Sequence, residues 1–235
     1  MAVIDFHTHV LPGMDDGSKD ADMSVEMLKM AALQGVDVMI ATPHFYAMHH
    51  RPETFLERRQ KAFSRLEGRL TEQMPRILAG AEVAFFPGIS QAKRLDELTI
   101  EGTNVLLLEM PFSDWTNRDL EEVGELIKTR HYKIVLAHLE RYMKISGNRK
   151  RFEELFSMPL YVQINAGSLT RWQQKRTLVK MFEKGQAHFL GSDCHGITYR
   201  SPNLSQGREI LEKKLGGEFL RRMDQIGSSL LQLEG

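Results

Sequence analysis

Histidine and carboxylate residues occur in short groups that recur along the sequence. His7 and His9 are separated by one residue, so in an extended segment both imidazoles would lie on the same side. Asp193 and His195 repeat this spacing. Imidazole nitrogens and carboxylate oxygens, without thiolates, are ligands that suit Mn²⁺, Fe²⁺ or Zn²⁺. The two pairs therefore indicate a metal site.

Other candidate ligands stand at or just beyond the ends of apolar runs. An acid in such a place can simply keep a strand soluble, and Asp15-Asp16-Gly17 can be only a turn. Taken singly, these residues would favour such structural roles. A polar residue nevertheless follows every predicted strand, and this favours one shared site formed by His7, His9, Asp16, His44, Glu82, Glu109, His138, Asp193 and His195, with Asn165 able to orient a ligand.

Apolar, β-branched runs alternate with segments of helical period, a pattern typical of β-strand/α-helix units and a parallel sheet. The sequence predicts seven strands: Val3–Phe6, Val36–Ala41, Ile77–Val83, Val105–Glu109, Ile134–Ala137, Leu160–Ile164 and Ala187–Gly191. Helices are predicted at Asp22–Gln34, Pro52–Glu72, Asn117–Arg130, Ser168–Lys184, Leu204–Leu215 and Glu218–Leu233, with a shorter one at Ser90–Leu98.

The polar strand ends favour a barrel over an open sheet. In α/β barrels the carboxyl ends of the strands converge on one mouth, whereas an open sheet would spread these positions along a crevice. The sequence contains no Pro/Gly/Ser-rich linker, so we expect residues 1–235 to form a single domain. The predicted fold is an α/β, distorted seven-stranded barrel.

Closely spaced metal ions would give this site hydrolytic chemistry. They can lower the pKa of a bound water and can hold the attacking and leaving oxygens of a phosphoryl transfer, so no covalent protein nucleophile is needed. Arg141 and Arg200 follow His138 and His195, and guanidinium groups bind phosphate oxygens in a bidentate fork. Both are candidates for substrate binding, although exposed arginines are often merely solvated.

Composition restricts the partners. The chain has 31 basic and 31 acidic residues, so no long-range field favours nucleic acid or an anionic membrane. The single cysteine, Cys194, excludes an internal disulfide framework, and its alternation with Asp193 and His195 predicts that it packs in the core. The N-terminal residues do not read as a signal peptide, and no apolar run reaches the roughly 20 residues of a membrane span. We expect a cytoplasmic protein.

Six short motifs resemble those of the polymerase-and-histidinol-phosphatase (PHP) superfamily, and in particular its bacterial manganese-dependent protein tyrosine phosphatases of capsule and exopolysaccharide biosynthesis. They are IDFHTH at Ile4–His9, DDG at Asp15–Gly17, TPH at Thr42–His44, GAE at Gly80–Glu82, AHLERY at Ala137–Tyr142 and SDCH at Ser192–His195. The resemblance runs from residue 1 to about residue 203, and every metal ligand of the pattern is present. The sequence differs from the family in the length and composition of the loop at residues 45–52, which borders the expected substrate entrance.

The resemblance implies a distorted TIM-like barrel of the PHP type with three metal ions. His7, His9, Glu82 and Asp193 would bind one ion. Glu82 would bridge to a second ion bound by Glu109 and His138, and Asp16, His44 and His195 would bind the third. Arg141 and Arg200 fall where phosphate-binding arginines lie in the family. Manganese is the expected metal, with Fe²⁺, Zn²⁺ and Mg²⁺ as alternatives.

The function implied is hydrolysis of phosphotyrosine by a metal-activated hydroxide, on a protein that would be a bacterial tyrosine kinase of capsule or exopolysaccharide biosynthesis. A small-molecule phosphatase, such as histidinol-phosphatase, is the alternative enzyme. A non-catalytic PHP module is a third possibility, although such modules typically lose metal ligands. The native metal, the oligomeric state and the partner's identity stay open at this stage.

Overall fold

Parallel β-strands form the centre of the molecule. The computed structural model describes residues 1–233, and its strands are β1 (Ile4–Thr8), β2 (Val38–Ala41), β3 (His44–Phe45), β4 (Arg76–Ala79), β5 (Glu82–Ala84), β6 (Val105–Glu109), β7 (Lys133–Leu136), β8 (Tyr161–Asn165) and β9 (Phe189–Gly191). β2 lies within the predicted strand Val36–Ala41, and β3 lies beyond its end and was not predicted, whereas β4 and β5 are two parts of the predicted strand Ile77–Val83. The seven predicted strands are therefore all confirmed.

The strands pair in the order β1-β2-β4 and β3-β5-β6-β7-β8-β9, and every pairing is parallel. The first and last strands also meet. The backbone N–H of Asp193 donates to the carbonyl of His7 at 2.8 Å, and that of His9 donates to the carbonyl of Cys194 at 3.0 Å. The sheets thus curl into a distorted barrel, as the sequence predicts.

Helices surround the strands. They are α1 (Ala21–Ala32), α2 (Pro52–Ser64), α3 (Asn117–Lys128), α4 (Leu139–Tyr142), α5 (Arg151–Ser157), α6 (Ala166–Thr170), α7 (Trp172–Glu183), α8 (Leu204–Leu215) and α9 (Gly217–Leu230). Their apolar faces pack on the strands, and β6 is buried along its whole length, as expected for a parallel strand covered by helices. Within residues 1–233, no helix is both long and apolar enough to cross a membrane.

Three predicted helices differ from the structure. The helix from Pro52 stops at Ser64 instead of Glu72, and the chain then turns through Gly68, whose φ of +74° favours glycine. The segment Ser90–Leu98 forms 3₁₀ turns at Ile89–Gln91 and Leu95–Leu98. The prediction for Ser168–Lys184 joins two helices that are separate, because Arg171 adopts an extended conformation between α6 and α7.

The sequence reasoning missed α4, α5 and the 3₁₀ turn at Ser146–Lys150. α4 is a single turn that begins directly after His138. It carries Arg141, which therefore lies on a short helix.

Candidate metal centre

The structure brings all nine expected ligands to one end of the barrel. His7 lies on β1 and His9 follows it, Glu109 ends β6, and His138, Asp193 and His195 lie just beyond β7 and β9. His44 and Glu82 begin β3 and β5, where the interrupted strands resume. Asp16, in the first loop, is largely exposed and His44 is partly buried, whereas the others are buried: His7, His9, Glu82, Glu109, His138, Asp193 and His195.

Glu82 lies at the middle of this cluster. Its Oε2 atom is 2.8 Å from His44 Nδ1 and 3.2 Å from His7 Nε2. Its Oε1 atom is 2.8 Å from His138 Nε2, which is also 3.3 Å from Glu109 Oε1. One carboxylate therefore has imidazoles against both of its oxygens, which is the position required of a bridging ligand.

Three groups of side chains bring ligand atoms within 4.8 Å of one another: His9 with Asp16, His44 and His195; His7 with His9 and Glu82; and His44 with Glu82 and Glu109. Asp193 is close to the second group, with Oδ1 3.7 Å from His7 Nε2 and 3.6 Å from His9 Nε2. The groups share members, so ions bound to them would be neighbours.

The polar atoms fit metal ions better than they fit one another. His7 Nε2 faces His9 Nε2 at 3.1 Å, and two imidazole nitrogens can share that space only around a proton or a cation. Glu82 Oε2 is buried and, among residues 1–233, accepts no well-oriented hydrogen bond, although imidazoles surround it. Ligands about 2.0–2.2 Å from a shared ion are themselves roughly 3–3.5 Å apart, which matches these separations.

A second layer of polar residues orients the cluster. Asp15 Oδ2 is 2.7 Å from His9 Nδ1 and accepts the backbone N–H of His44 at 3.0 Å. Such a carboxylate fixes the ring orientation of a metal-binding histidine and increases its basicity. Asp15 was noted in the sequence only as part of a possible turn, so this role was missed.

Gln163, on β8, serves two histidines. Its Oε1 atom is 3.3 Å from His7 Nδ1 and accepts the backbone N–H of His138 at 2.7 Å. Its Nε2 atom donates to Asn165 Oδ1, and Asn165 Nδ2 donates in turn to Asp193 Oδ2 at 2.8 Å. Sequence reasoning identified Asn165 but missed Gln163. The sequence feature that could have identified Gln163 is a polar residue within an apolar strand.

Asp5 was missed in the same way. It precedes His7 by two residues, and its Oδ1 atom accepts the backbone N–H groups of Ser192 and His7. Burial raises the pKa of Asp5 to about 6, while the hydrogen bonds from Ser192 and His7 oppose that shift. Asp5 thereby links β1 to the residue that follows β9, directly beneath the cluster.

Unusual backbone conformations hold several of these side chains in place. His138 and Asp193 adopt positive φ angles of 33° and 52°, which non-glycine residues rarely do. Gly17 allows the first loop to return against His9, because a Cβ at residue 17 would lie 2.4 Å from the His9 carbonyl oxygen. Strain of this kind concentrates at functional sites.

The cluster also perturbs the pKa values of its members. Burial alone would lower the pKa of His9, but hydrogen bonds to Asp15 and Glu82 raise it to about 10. Burial likewise opposes protonation of His138, but Glu109 and Glu82 raise its pKa to about 9. His195 behaves in the opposite way, since burial and the nearby His9 and Arg200 lower its pKa to about 4.

Arg141 and Arg200 reach the cluster from two sides and both form ion pairs with Asp193. Burial would raise the pKa of Asp193, but the positive charges of His7, Arg141 and His9 hold it below its usual range. Beside them lies a cavity of about 300 Å³ that both arginines line. The expected phosphate-binding arginines are thus adjacent to the expected metal ligands and to open space.

The cysteine, the other histidines and the tryptophans are not among the nine candidate ligands. Cys194 is buried, as its alternation predicts. His49 and His131 are exposed, and His50 and His188 are intermediate. Trp115 packs in the core, whereas Trp172 is exposed.

Comparison with known proteins agrees with the motifs. A family model described as capsular polysaccharide synthesis, CpsB/CapC, matches residues 3–228. Tyrosine-protein phosphatase YwqE of Bacillus subtilis (strain 168) is 32% identical over 237 residues, covering 98% of this chain and 92% of the relative. Putative tyrosine-protein phosphatase CapC of Staphylococcus aureus is 30% identical over 215 residues, covering 87% of this chain and 81% of the relative.

A solved structure is similar over nearly the same length. It comes from the work on YwqE from Bacillus subtilis and CpsB from Streptococcus pneumoniae, described as metal-dependent tyrosine phosphatases. The TM-score is 0.84 at 28% sequence identity, with 99% of this chain and 96% of that chain covered. The similarity therefore includes every strand that carries a candidate ligand.

Proposed function

The chain belongs to the CpsB/CapC family of capsular polysaccharide synthesis, and from this premise we propose that it is a metal-dependent protein tyrosine phosphatase. The observation that carries the proposal is Glu82, whose two carboxylate oxygens face His7, His44 and His138 next to an aspartate paired with two arginines. Metal ligands and phosphate-binding groups are thus within one small volume.

The proposed site holds three ions. Donors that are all nitrogen or oxygen suit Mn²⁺, Fe²⁺ or Zn²⁺, and the resemblance to manganese-dependent phosphatases makes Mn²⁺ the preferred metal of the proposal. His7, His9, Glu82 and Asp193 would hold the first ion, Glu82, Glu109 and His138 the second, and Asp16, His44 and His195 the third. When bound, the ions supply a nucleophile from water near neutral pH and stabilise negative charge on the phosphoryl group. Mg²⁺, Fe²⁺ and Zn²⁺ are the alternatives.

The chain's own residues bind and orient the phosphate. Arg141 and Arg200 would place two guanidinium forks on the non-bridging oxygens, which a lysine's point charge cannot reproduce. Asp193 pairs with both arginines and aligns them toward the centre. The leaving group is a phenolate, which needs less acid assistance than an alkoxide because the pKa of a phenol is about 10.

Aromatic residues around the centre support an aryl substrate. The ring of Phe112, which is 55% exposed, stacks on the imidazole of His138 with centroids 5.8 Å apart. Tyr46, partly exposed, stacks on His44 at 5.3 Å. These exposed rings offer apolar surface to a phosphotyrosine ring, which a phosphoserine side chain, having no ring, would not match.

The proposed partner is a phosphotyrosine protein, namely a bacterial tyrosine kinase of capsule or exopolysaccharide biosynthesis, and the proposed location is the cytoplasm. The family's capsule context and the names of the relatives support the partner. The neutral net charge supports recognition through local contacts. We treat residues 1–235 as one catalytic domain in this proposal.

A panel of phosphoesters tests the function. With manganese-loaded protein, kcat/KM should be highest for phosphotyrosine peptides and aryl phosphates, and lower for phosphoserine peptides and histidinol phosphate. Vanadate should inhibit weakly, since no cysteine nucleophile is used. The highest kcat/KM on histidinol phosphate would contradict the tyrosine phosphatase proposal. Elemental analysis should find two or three ions per chain, and less than one after reconstitution would contradict a multinuclear site.

A further inference from the structure

The 300 Å³ cavity beside Asp193 extends beyond the groups that bind the phosphate. Its lining includes Arg141, Arg200 and Asp193, and also Arg171, Tyr199 and Asn203, which the phosphatase chemistry does not use. Ligand pockets typically measure roughly 300–1,000 Å³, so this cavity has room for more than the five heavy atoms of a phosphate group. The additional residues could therefore contact a part of the substrate other than the phosphate group.

The cavity has an excess of positive charge. Three guanidinium groups line it against one carboxylate, and that carboxylate, Asp193, is already paired with Arg141 and Arg200. Within residues 1–233, Arg171 has no carboxylate partner within 4.0 Å. The chain as a whole has no net charge, so this surplus is local to the cavity wall.

The backbone of Arg171 is fixed, although its side chain is exposed. It lies in extended conformation between α6 and α7, with φ −77° and ψ 113°, and its carbonyl accepts the N–H groups of Gln174 and Lys175. The break between the two helices, which the sequence did not predict, therefore fixes the backbone position from which the Arg171 side chain extends at the cavity wall.

The cavity wall also supplies an aromatic surface. Asn203 packs on Gly167 of α6 and closes the cavity next to Arg171. Tyr199 is 81% exposed and offers a face on which a peptide can pack.

We infer that Arg171 and Tyr199 form an accessory subsite that binds the peptide segment next to the phosphotyrosine and prefers an acidic residue there. This inference rests on the proposed function. Arg171 would pair with the acidic side chain, and Tyr199 would cover the segment. The substrate class is therefore a phosphotyrosine with a neighbouring carboxylate or second phosphate.

Two phosphotyrosine peptides, identical except that one has acidic and the other neutral residues beside the phosphotyrosine, test the subsite. Wild type should prefer the acidic peptide in kcat/KM. Arg171→Ala should reduce that preference roughly two- to fivefold, as expected for losing one partly exposed charge pair, and Arg171→Glu should abolish or reverse it. Arg176→Ala, on the exposed surface of α7 and outside the cavity lining, is the matched control and should retain the preference.

The outcomes separate the two proposals. An unchanged ratio between the peptides in Arg171→Glu, with phosphotyrosine still hydrolysed, overturns the subsite alone. An equal loss on p-nitrophenyl phosphate, which has no flanking residue, also overturns it, because Arg171 would then act on the phosphate itself. Failure of wild type to hydrolyse any phosphotyrosine peptide overturns the proposed function and the subsite with it.

Discussion

Gly191 lies directly against Gln163: a Cβ at residue 191 would come within 2.7 Å of the Gln163 Nε2 atom and within 2.6 Å of the His7 Cβ. Both neighbours belong to the candidate centre, and real Cβ atoms do not approach other atoms so closely. Glycine is therefore required on β9 so that the amide of Gln163 can lie between His7 and the backbone of His138.

Gly191→Ala should displace Gln163 and His7 and lower metal affinity by roughly tenfold or more, the usual effect of losing an outer-layer partner of a ligand. Titration calorimetry of the metal-free variant with Mn²⁺ measures this. Gly124→Ala is the control, since a Cβ there has open space on helix α3 and should stabilise the fold by about 0.5–1 kcal/mol. Wild-type affinity in Gly191→Ala would show that Gln163 does not position the ligands.

Glu82→Ala should abolish activity and reduce the number of bound ions more than His44→Ala does. Glu82 faces three imidazoles with two oxygens, so its loss affects two proposed ions, whereas His44 supplies one ring. Ion content by elemental analysis and kcat/KM on an aryl phosphate provide the comparison. Equal and mild losses in the two variants would argue against a bridging Glu82.

Arg141→Lys and Arg200→Lys should each lower kcat/KM by roughly tenfold or more while ion content stays at the wild-type level. Lysine keeps the positive charge near Asp193 but lacks the planar fork that holds two phosphate oxygens. Steady-state kinetics and elemental analysis on the same preparations are needed. Unchanged kinetics would mean that both arginines serve only to pair with Asp193.

Metal binding should release protons and become tighter as pH rises from 7 towards 9. In the metal-free protein the pKa values of His9 and His138 are about 10 and about 9, so both are protonated at pH 7 and must lose a proton to bind an ion. Calorimetry at pH 7 in buffers of different ionisation enthalpy counts the protons, and we expect more than one per chain. Metal binding without proton release would show that protons and metal ions do not compete for His9 and His138.

The same pKa values set the stability of the metal-free protein. Both histidines have a higher pKa in the folded state than the ordinary 6.5, so the folded state holds more protons between pH 6.5 and about 9–10. Their stabilising contribution is complete below pH 6.5 and is lost as the pH rises through that range. Urea denaturation of the metal-free protein at pH 7 and pH 9 should show the decrease.

The strands and the clustering of the candidate ligands could be predicted because their signals are local. Alternation along an extended chain places His7 beside His9 and Asp193 beside His195 without knowledge of distant contacts. Hydrophobic runs mark parallel strands, and the rule that their carboxyl ends meet brings Glu82 and His138 together. Each step needs only neighbouring residues and one general property of the fold.

Other features depend on contacts between distant segments and left little trace in the sequence. The helical pattern runs through Arg171, yet the chain breaks there. The preceding helix α6 packs closely on α8, where a Cβ at Gly207 would lie 2.9 Å from Ala166. Gln163 acquires its role only when the fold brings its side chain beside His7 of β1 and the backbone of His138 after β7. Helix and strand patterns indicate which face of an element is buried. They do not indicate which polar side chain a buried residue will contact.

Two backbone hydrogen bonds close the barrel, one from Asp193 to His7 and one from His9 to Cys194, and they join residues far apart in the chain. During synthesis, at about 5–20 residues per second, His7 and His9 leave the ribosome many seconds before Asp193 and His195 exist. An ion that needs both pairs can be captured only after nearly all strands have been made, since contacts of such long range form late. Metal binding would therefore occur only when folding is nearly complete. Incomplete chains would bind no such ion and would be inactive.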